Sequence, residues 1–100
     1  MNEPNEMQTE TWLEDANAAI AAIRSAGATN LLLVPGNSWT GGQSWYQDWY
    51  GTPNAQVMQN ISDPLDNYWY EIHQYMDVDY SGQHSTCANE TIGVDVSLLF

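Results

Sequence analysis

From residue 11 to residue 27 the chain reads TWLEDANAAIAAIRSAG, with apolar positions recurring at Leu13, Ala16, Ile20 and Ile23. Steps of three and four trace one face of an α-helix. Thr11 and Glu14 have the spacing of a capping box, which predicts the helix start, and Gly27 predicts its end. The pattern then changes to a short unbroken apolar run, NLLLV at residues 30–34. Such a run predicts a strand buried on both faces, as in a parallel sheet covered by helices. PGNSW interrupts it, and a polar, aromatic loop follows over residues 36–54, longer than an ordinary connection. AQVMQNI at residues 55–61 predicts a short helix, and SDPLDN a turn. YWYEIHQY at residues 68–75 has strand composition, and a period of two places Glu71, His73 and Tyr75 on one face. DVDYSGQHSTCANE forms a second polar loop, and IGVDVSLLF opens a further helix or strand.

This order of strand end, helix, strand, short helix and strand predicts an α/β fold with parallel strands. Each strand candidate leads into a long polar loop on the same carboxyl-terminal edge, where such folds gather their functional residues. Two or three parallel strands alone leave edges and faces uncovered, so the chain is expected to be a piece of a larger domain.

Composition narrows the range of partners. Thirteen acidic residues stand against one basic residue, Arg24, for a formal charge of -12, alongside five Trp and six Tyr. The aromatic content argues for a folded chain rather than an acidic tail. The charge argues against nucleic acid and anionic membrane surfaces as partners, and the sequence has no run of eighteen apolar residues. Cys87 is the single cysteine, which leaves a partner elsewhere or a free thiol. Asn60-Ile-Ser and Asn89-Glu-Thr are glycan acceptor triplets. Asp77, Asp79, Ser81 and Gly82 fall on positions one, three, five and six of an EF-hand loop, but position twelve is Ala88, where a bidentate Glu is required. A solvated acidic loop is the better reading, and no metal or other cofactor is expected. His84 has no assignable task.

NEP at residues 2–4, PGNSW at residues 35–39 and HQY at residues 73–75 each stand at a strand end, in this order. Together they resemble family 5 of the glycoside hydrolases, in particular the endoglucanase branch that cleaves β-1,4-glucan. The resemblance covers nearly the whole chain. It implies a partial (β/α)8 TIM barrel running from the end of the fourth strand to about the sixth helix, with residues 1–100 a fragment of a single catalytic domain. Met1 is then interior to the fourth strand. Carried over from the family, Glu3 is the general acid/base, Asn2 orients the substrate's 2-hydroxyl, and His73 and Tyr75 line the catalytic mouth. Trp39 is a sugar-stacking platform.

The resemblance also implies a secreted enzyme, monomeric at full length, acting internally on a β-glucan polysaccharide. Retaining hydrolysis needs a second carboxylate about 5–5.5 Å from the first. In the family that nucleophile is a Glu at the end of the seventh strand, outside this chain, so the hundred residues alone are expected to be inert. Most of Trp45, Tyr46, Trp49 and Tyr50 are expected to pack against the fold, as large aromatics do. The alternative reading is a non-catalytic carbohydrate-binding module with the aromatic loop 39–50 as a flat sugar platform. An acidic calcium-binding or scaffold domain is disfavoured by Ala88.

Overall fold

A computed structural model describes residues 1–92, and the IGVDVSLLF segment beyond Ile92 lies outside the described residues. Helix α1 spans Thr9–Ser25, strand β1 Leu32–Pro35, helix α2 Asn54–Val57 and strand β2 Tyr68–Glu71. Two short 3-10 turns, Ser38–Thr40 and Met58–Asn60, complete the set, and residues 1–4, expected to close a strand, pair with no strand among the described residues. β1 and β2 are parallel neighbours in the register Leu32 to Tyr68 through Pro35 to Glu71. Beyond that ladder an isolated parallel bridge joins Gly41 to His73, so pairing resumes within the loop that leaves β1.

Helix α1 is where the pattern places it, with two differences. The buried stripe is Trp12, Ala16 and Ile20, in steps of four, while Leu13 is half-buried and Ile23 is exposed. The helix also starts three residues earlier than the capping box implies, with Gln8 as N-cap and no side-chain cap. The Tyr50 carbonyl accepts the Thr9 N–H at 3.1 Å, so a distant main-chain group serves the helix start and leaves Thr11 and Glu14 inside the helix. The far end follows expectation. Gly27 has φ +90° and donates to Arg24 O at 2.9 Å, while Ala28 donates to Ile23 O at 3.4 Å. That pair of bonds is the Schellman arrangement, and it calls for the left-handed residue that glycine supplies without strain.

The helix face packs on one side of the sheet. Trp12, Ala16, Ile20, Val34, Trp45, Met58 and Ile61 form the core, with Leu32, Tyr68 and Ile72 against it. The Trp12 indole N–H donates to Pro35 O at 2.7 Å, and Tyr70 OH to Met58 O at 2.7 Å, so both aromatic polar ends are paired. The opposite sheet face departs from the expectation of burial on both sides. The register partners Leu33 and Trp69 are 57% and 70% exposed.

Arg24 ties together the ends of three elements. Its guanidinium makes a two-bond contact with the Asp63 carboxylate, at 2.9 and 2.8 Å, and donates to the carbonyls of Ala28, Asn30 and Asn67. Asp63 also receives the N–H groups of Leu65 and Asn67. The two side chains are 5% and 0% exposed. The single basic residue therefore fixes the end of α1 to the starts of both strands.

The loop leaving β1 makes an unusual turn. Ser38, Trp39 and Thr40 have φ of 55°, 57° and 50°, three successive non-glycine residues in the left-handed region. Each such residue costs about 1–3 kcal/mol and persists only where its surroundings over-determine it. No helix among the described residues is long and apolar enough to cross a membrane.

Candidate active site

The carboxyl-terminal edge of the two strands opens into a hollow of about 370 Å³. Glu3, Trp39, Gly41 and His73 line one side, and Tyr75 with the 79–83 loop lines another. The structure thus brings Glu3, Trp39, His73 and Tyr75 together, although 36 residues of sequence separate Glu3 from Trp39 and 34 separate Trp39 from His73. Asn2 is exposed and does not line the hollow.

Glu3 and His73 face each other directly. The His73 Nδ1 lies 2.7 Å from Glu3 Oε1, and its Nε2 lies 3.5 Å from Glu71 Oε1. All three side chains are about a third exposed, at 33% for Glu3, 29% for His73 and 33% for Glu71. The hydrogen bond to Glu3 raises the His73 pKa above its ordinary 6.5, against partial desolvation, and Glu71 adds to the rise. The imidazole therefore links two carboxylates, as the alternation Glu71, His73 on one strand face leads one to expect.

A raised histidine pKa stabilises the pair fully below 6.5 and less as pH rises through the raised value. In the intact protein, His73 is expected to titrate above 6.5, and Glu71→Gln to move that titration downward. NMR of the imidazole protons measures it. A wild-type value at or below the ordinary one, or no response to the substitution, contradicts the linkage.

The main chain holds these groups in place. Trp39 N–H donates to Pro4 O at 2.9 Å, next to Glu3, and Pro4 is fully buried. His73 N–H donates to Thr40 O at 2.9 Å, and Gly42 N–H donates to His73 O at 2.9 Å. The left-handed turn is therefore bonded to both the Glu3 segment and the His73 segment.

The aromatic loop divides in two. Trp45 is 9% exposed and meets Tyr70 edge-on at 5.7 Å, and Tyr50 meets Trp39 edge-on at 5.9 Å. Tyr46 and Trp49 are 62% and 54% exposed, and Trp49 lines the hollow. Packing thus takes part of the loop, and residues 39–50 do not present one flat platform. Sequence does not separate Trp49 from its neighbours, since its exposure depends on how Tyr50 and Trp45 are anchored.

The 77–84 loop explains His84. Asp77 is buried and accepts the N–H groups of Gly82 and His84, at 3.1 and 3.1 Å, and the Ser81 hydroxyl. His84 Nδ1 lies 3.0 Å from Asp77 and 3.4 Å from Asp79. Burial alone would raise the Asp77 carboxyl, but the Gly82 and His84 contacts outweigh it and hold the group well below the usual carboxylate range. Asp77, Asp79 and His84 offer ligand atoms within 4.8 Å of one another, and those atoms are engaged with the loop's own donors. The loop is thereby closed around Asp77, and its Tyr80, Ser81 and Gln83 form a wall of the hollow. Cys87, beyond that wall, is exposed and unpaired.

A carboxyl group on a histidine, beside a tryptophan face in an open polar hollow, suits acid/base chemistry on a neutral polyhydroxyl substrate. Comparison with known proteins points the same way. Residues 1–97 match the family model described as Cellulase (glycosyl hydrolase family 5). Among curated relatives, Endoglucanase 1 of Robillarda sp. (strain Y-20) is 46% identical over 90 residues, which are 90% of this chain and 23% of the relative. Endo-beta-1,4-glucanase B of Emericella nidulans is 43% identical over 95 residues, 94% of this chain and 27% of the relative. The chain thus spans about a quarter of the length of the curated relatives it matches.

Solved structures agree. The endo-beta-1,4-glucanase Xac0029 from Xanthomonas axonopodis pv. citri superposes with a TM-score of 0.91 at 48% identity, covering 96% of this chain and 30% of that one. XacCel5A, solved in complex with cellopentaose, superposes at 0.90 with 43% identity, covering 96% of this chain and 31% of that one. The chain belongs to glycosyl hydrolase family 5.

Proposed function

We propose that these residues are one sector of a retaining endo-β-1,4-glucanase, with Glu3 as the general acid/base. The observation that carries the reading is the Glu3–His73 pair, 2.7 Å apart, at the mouth of a hollow that Trp39 and Tyr75 also line. His73 holds the Glu3 carboxyl in orientation, and Trp39 offers a ring face to a pyranose. Asn2, beside Glu3 in sequence, is cast as the partner of the sugar 2-hydroxyl. The second carboxylate, the nucleophile, comes from outside this chain.

The proposed frame is a (β/α)8 barrel, with these residues running from the end of the fourth strand to about the sixth helix. The two parallel strands with α1 on one face support it, as does the apolar face of Leu33 and Trp69, which suits the layered interior of a closed barrel. A secreted, monomeric full-length enzyme acting on cellulose-type polysaccharide completes the proposal. The relatives are named endoglucanases, and one solved neighbour holds cellopentaose.

In this mechanism Glu3 protonates the departing glycosidic oxygen while the nucleophile attacks the anomeric carbon. Glu3 then takes a proton from the water that hydrolyses the glycosyl-enzyme, so configuration is retained. Proton NMR of early products from the complete enzyme on a cello-oligosaccharide should therefore show the β-anomer first. Initial release of the α-anomer overturns the retaining assignment.

A further inference from the structure

Asn54 opens helix α2, 17 residues past Asn37, and it does not line the hollow. Its side chain nevertheless engages both main-chain groups of Asn37. Asn54 Oδ1 accepts the Asn37 N–H at 2.8 Å, and Asn54 Nδ2 donates to the Asn37 carbonyl at 2.8 Å. Both residues are buried, Asn37 at 0% and Asn54 at 2% exposure. Asn37 is the last residue before the left-handed turn, and its carbonyl also accepts the Thr40 N–H at 3.1 Å.

Other groups close the bracket around the same turn. Ser44 Oγ lies 2.8 Å from the Ser38 carbonyl, and the Thr40 hydroxyl accepts the Gly36 N–H at 2.8 Å and donates to the Glu71 carbonyl. Gly36 leaves room for the clamp, because a Cβ there would stand 2.9 Å from Asn54 Cγ. Residues other than glycine keep such a backbone only under this kind of restraint. On its far side the turn is bonded to Pro4 and to His73, and it carries Trp39.

We propose that Asn54 is a positioning residue: by holding the main chain of Asn37 it keeps the 38–40 turn left-handed, and the turn fixes Trp39 and the spacing between Glu3 and His73. The inference rests on the reading of Glu3 and Trp39 as the site. A carboxamide suits the role because one rigid group supplies both a donor and an acceptor. Alanine supplies neither, and aspartate supplies only the acceptor.

The test uses the complete enzyme and a cello-oligosaccharide. Asn54→Ala should lower kcat/KM by about 10–100-fold, with most of the loss in kcat, as misplaced reacting groups do. Adding Ser38→Gly should restore part of that loss, since glycine adopts the left-handed conformation unaided. If Asn54→Ala does not fold, the comparison is read from Asn54→Asp with and without Ser38→Gly. A kcat/KM within about twofold of wild type, or a loss that Ser38→Gly leaves unrelieved, overturns the proposal. Glu3→Gln is assayed in parallel. Wild-type rates for that variant overturn the site reading and this inference together, whereas an inactive Glu3→Gln beside an unimpaired Asn54→Ala overturns this inference alone.

Discussion

Glu3→Gln in the complete enzyme is expected to slow hydrolysis of unactivated β-1,4-glucan by about 10²–10⁴-fold, the usual contribution of a positioned acid or base. Glutamine is nearly isosteric and can still meet the His73 ring, so the hydrogen-bonded frame survives while the transferable proton is lost. Binding of glucan should change little. The discriminating measurement is the leaving-group dependence. An aryl cellobioside whose phenol departs without protonation should lose far less in its glycosylation step than cellulose loses overall. Equal losses on both substrates would assign Glu3 a structural or nucleophilic part, and unchanged turnover would remove it from the reaction.

The second large effect concerns stability. Asp63→Ala should lower the melting temperature of the complete enzyme by about 10 °C, because a buried guanidinium is left without its carboxylate. Arg24 bonds to three carbonyls as well, so its own loss also frees the entries to β1 and β2. The hydrogen bond from Arg24 holds the Asp63 carboxyl well below the usual carboxylate range. A depressed carboxylate pKa contributes stability in full above the unfolded value, near pH 4, and loses it as pH falls through the folded value. Wild type should therefore keep this contribution at neutral pH and shed it only in strong acid, whereas Asp63→Ala should lack that part of the acid dependence. Thermal unfolding across pH measures both, and a melting temperature unmoved by the substitution contradicts the role.

How far sequence reaches is clear from particular residues. The helical repeat finds α1, where Ala16 and Ile20 are buried, whereas an unbroken apolar run and strand composition find β1 and β2. The repeat misses the start of α1, where the Tyr50 carbonyl replaces a local cap. Glu3, Trp39, His73 and Tyr75 are legible through three short motifs, and the hollow joins all four. PGNSW and HQY stand at the ends of β1 and β2, while NEP belongs to no strand among the described residues. The supporting shell is not legible. Ser38, Trp39 and Thr40 carry no signal for positive φ, which sequence reading expects of glycine or asparagine. Asn54 and the His84–Asp77 contact depend on loop closure, which no local pattern encodes.

The loop between β1 and α2 is fastened at two points. Trp45 is seated in the core, and the Tyr50 carbonyl is held by Thr9. Between them Tyr46, Gln47, Asp48 and Trp49 stand in solvent. Under the proposed reading, changes confined to those four positions are expected to leave the spacing of Glu3 and His73 intact. Because Trp49 lines the hollow, such changes should reach the sugar contacts of the proposed site without touching its hydrogen-bonded pair.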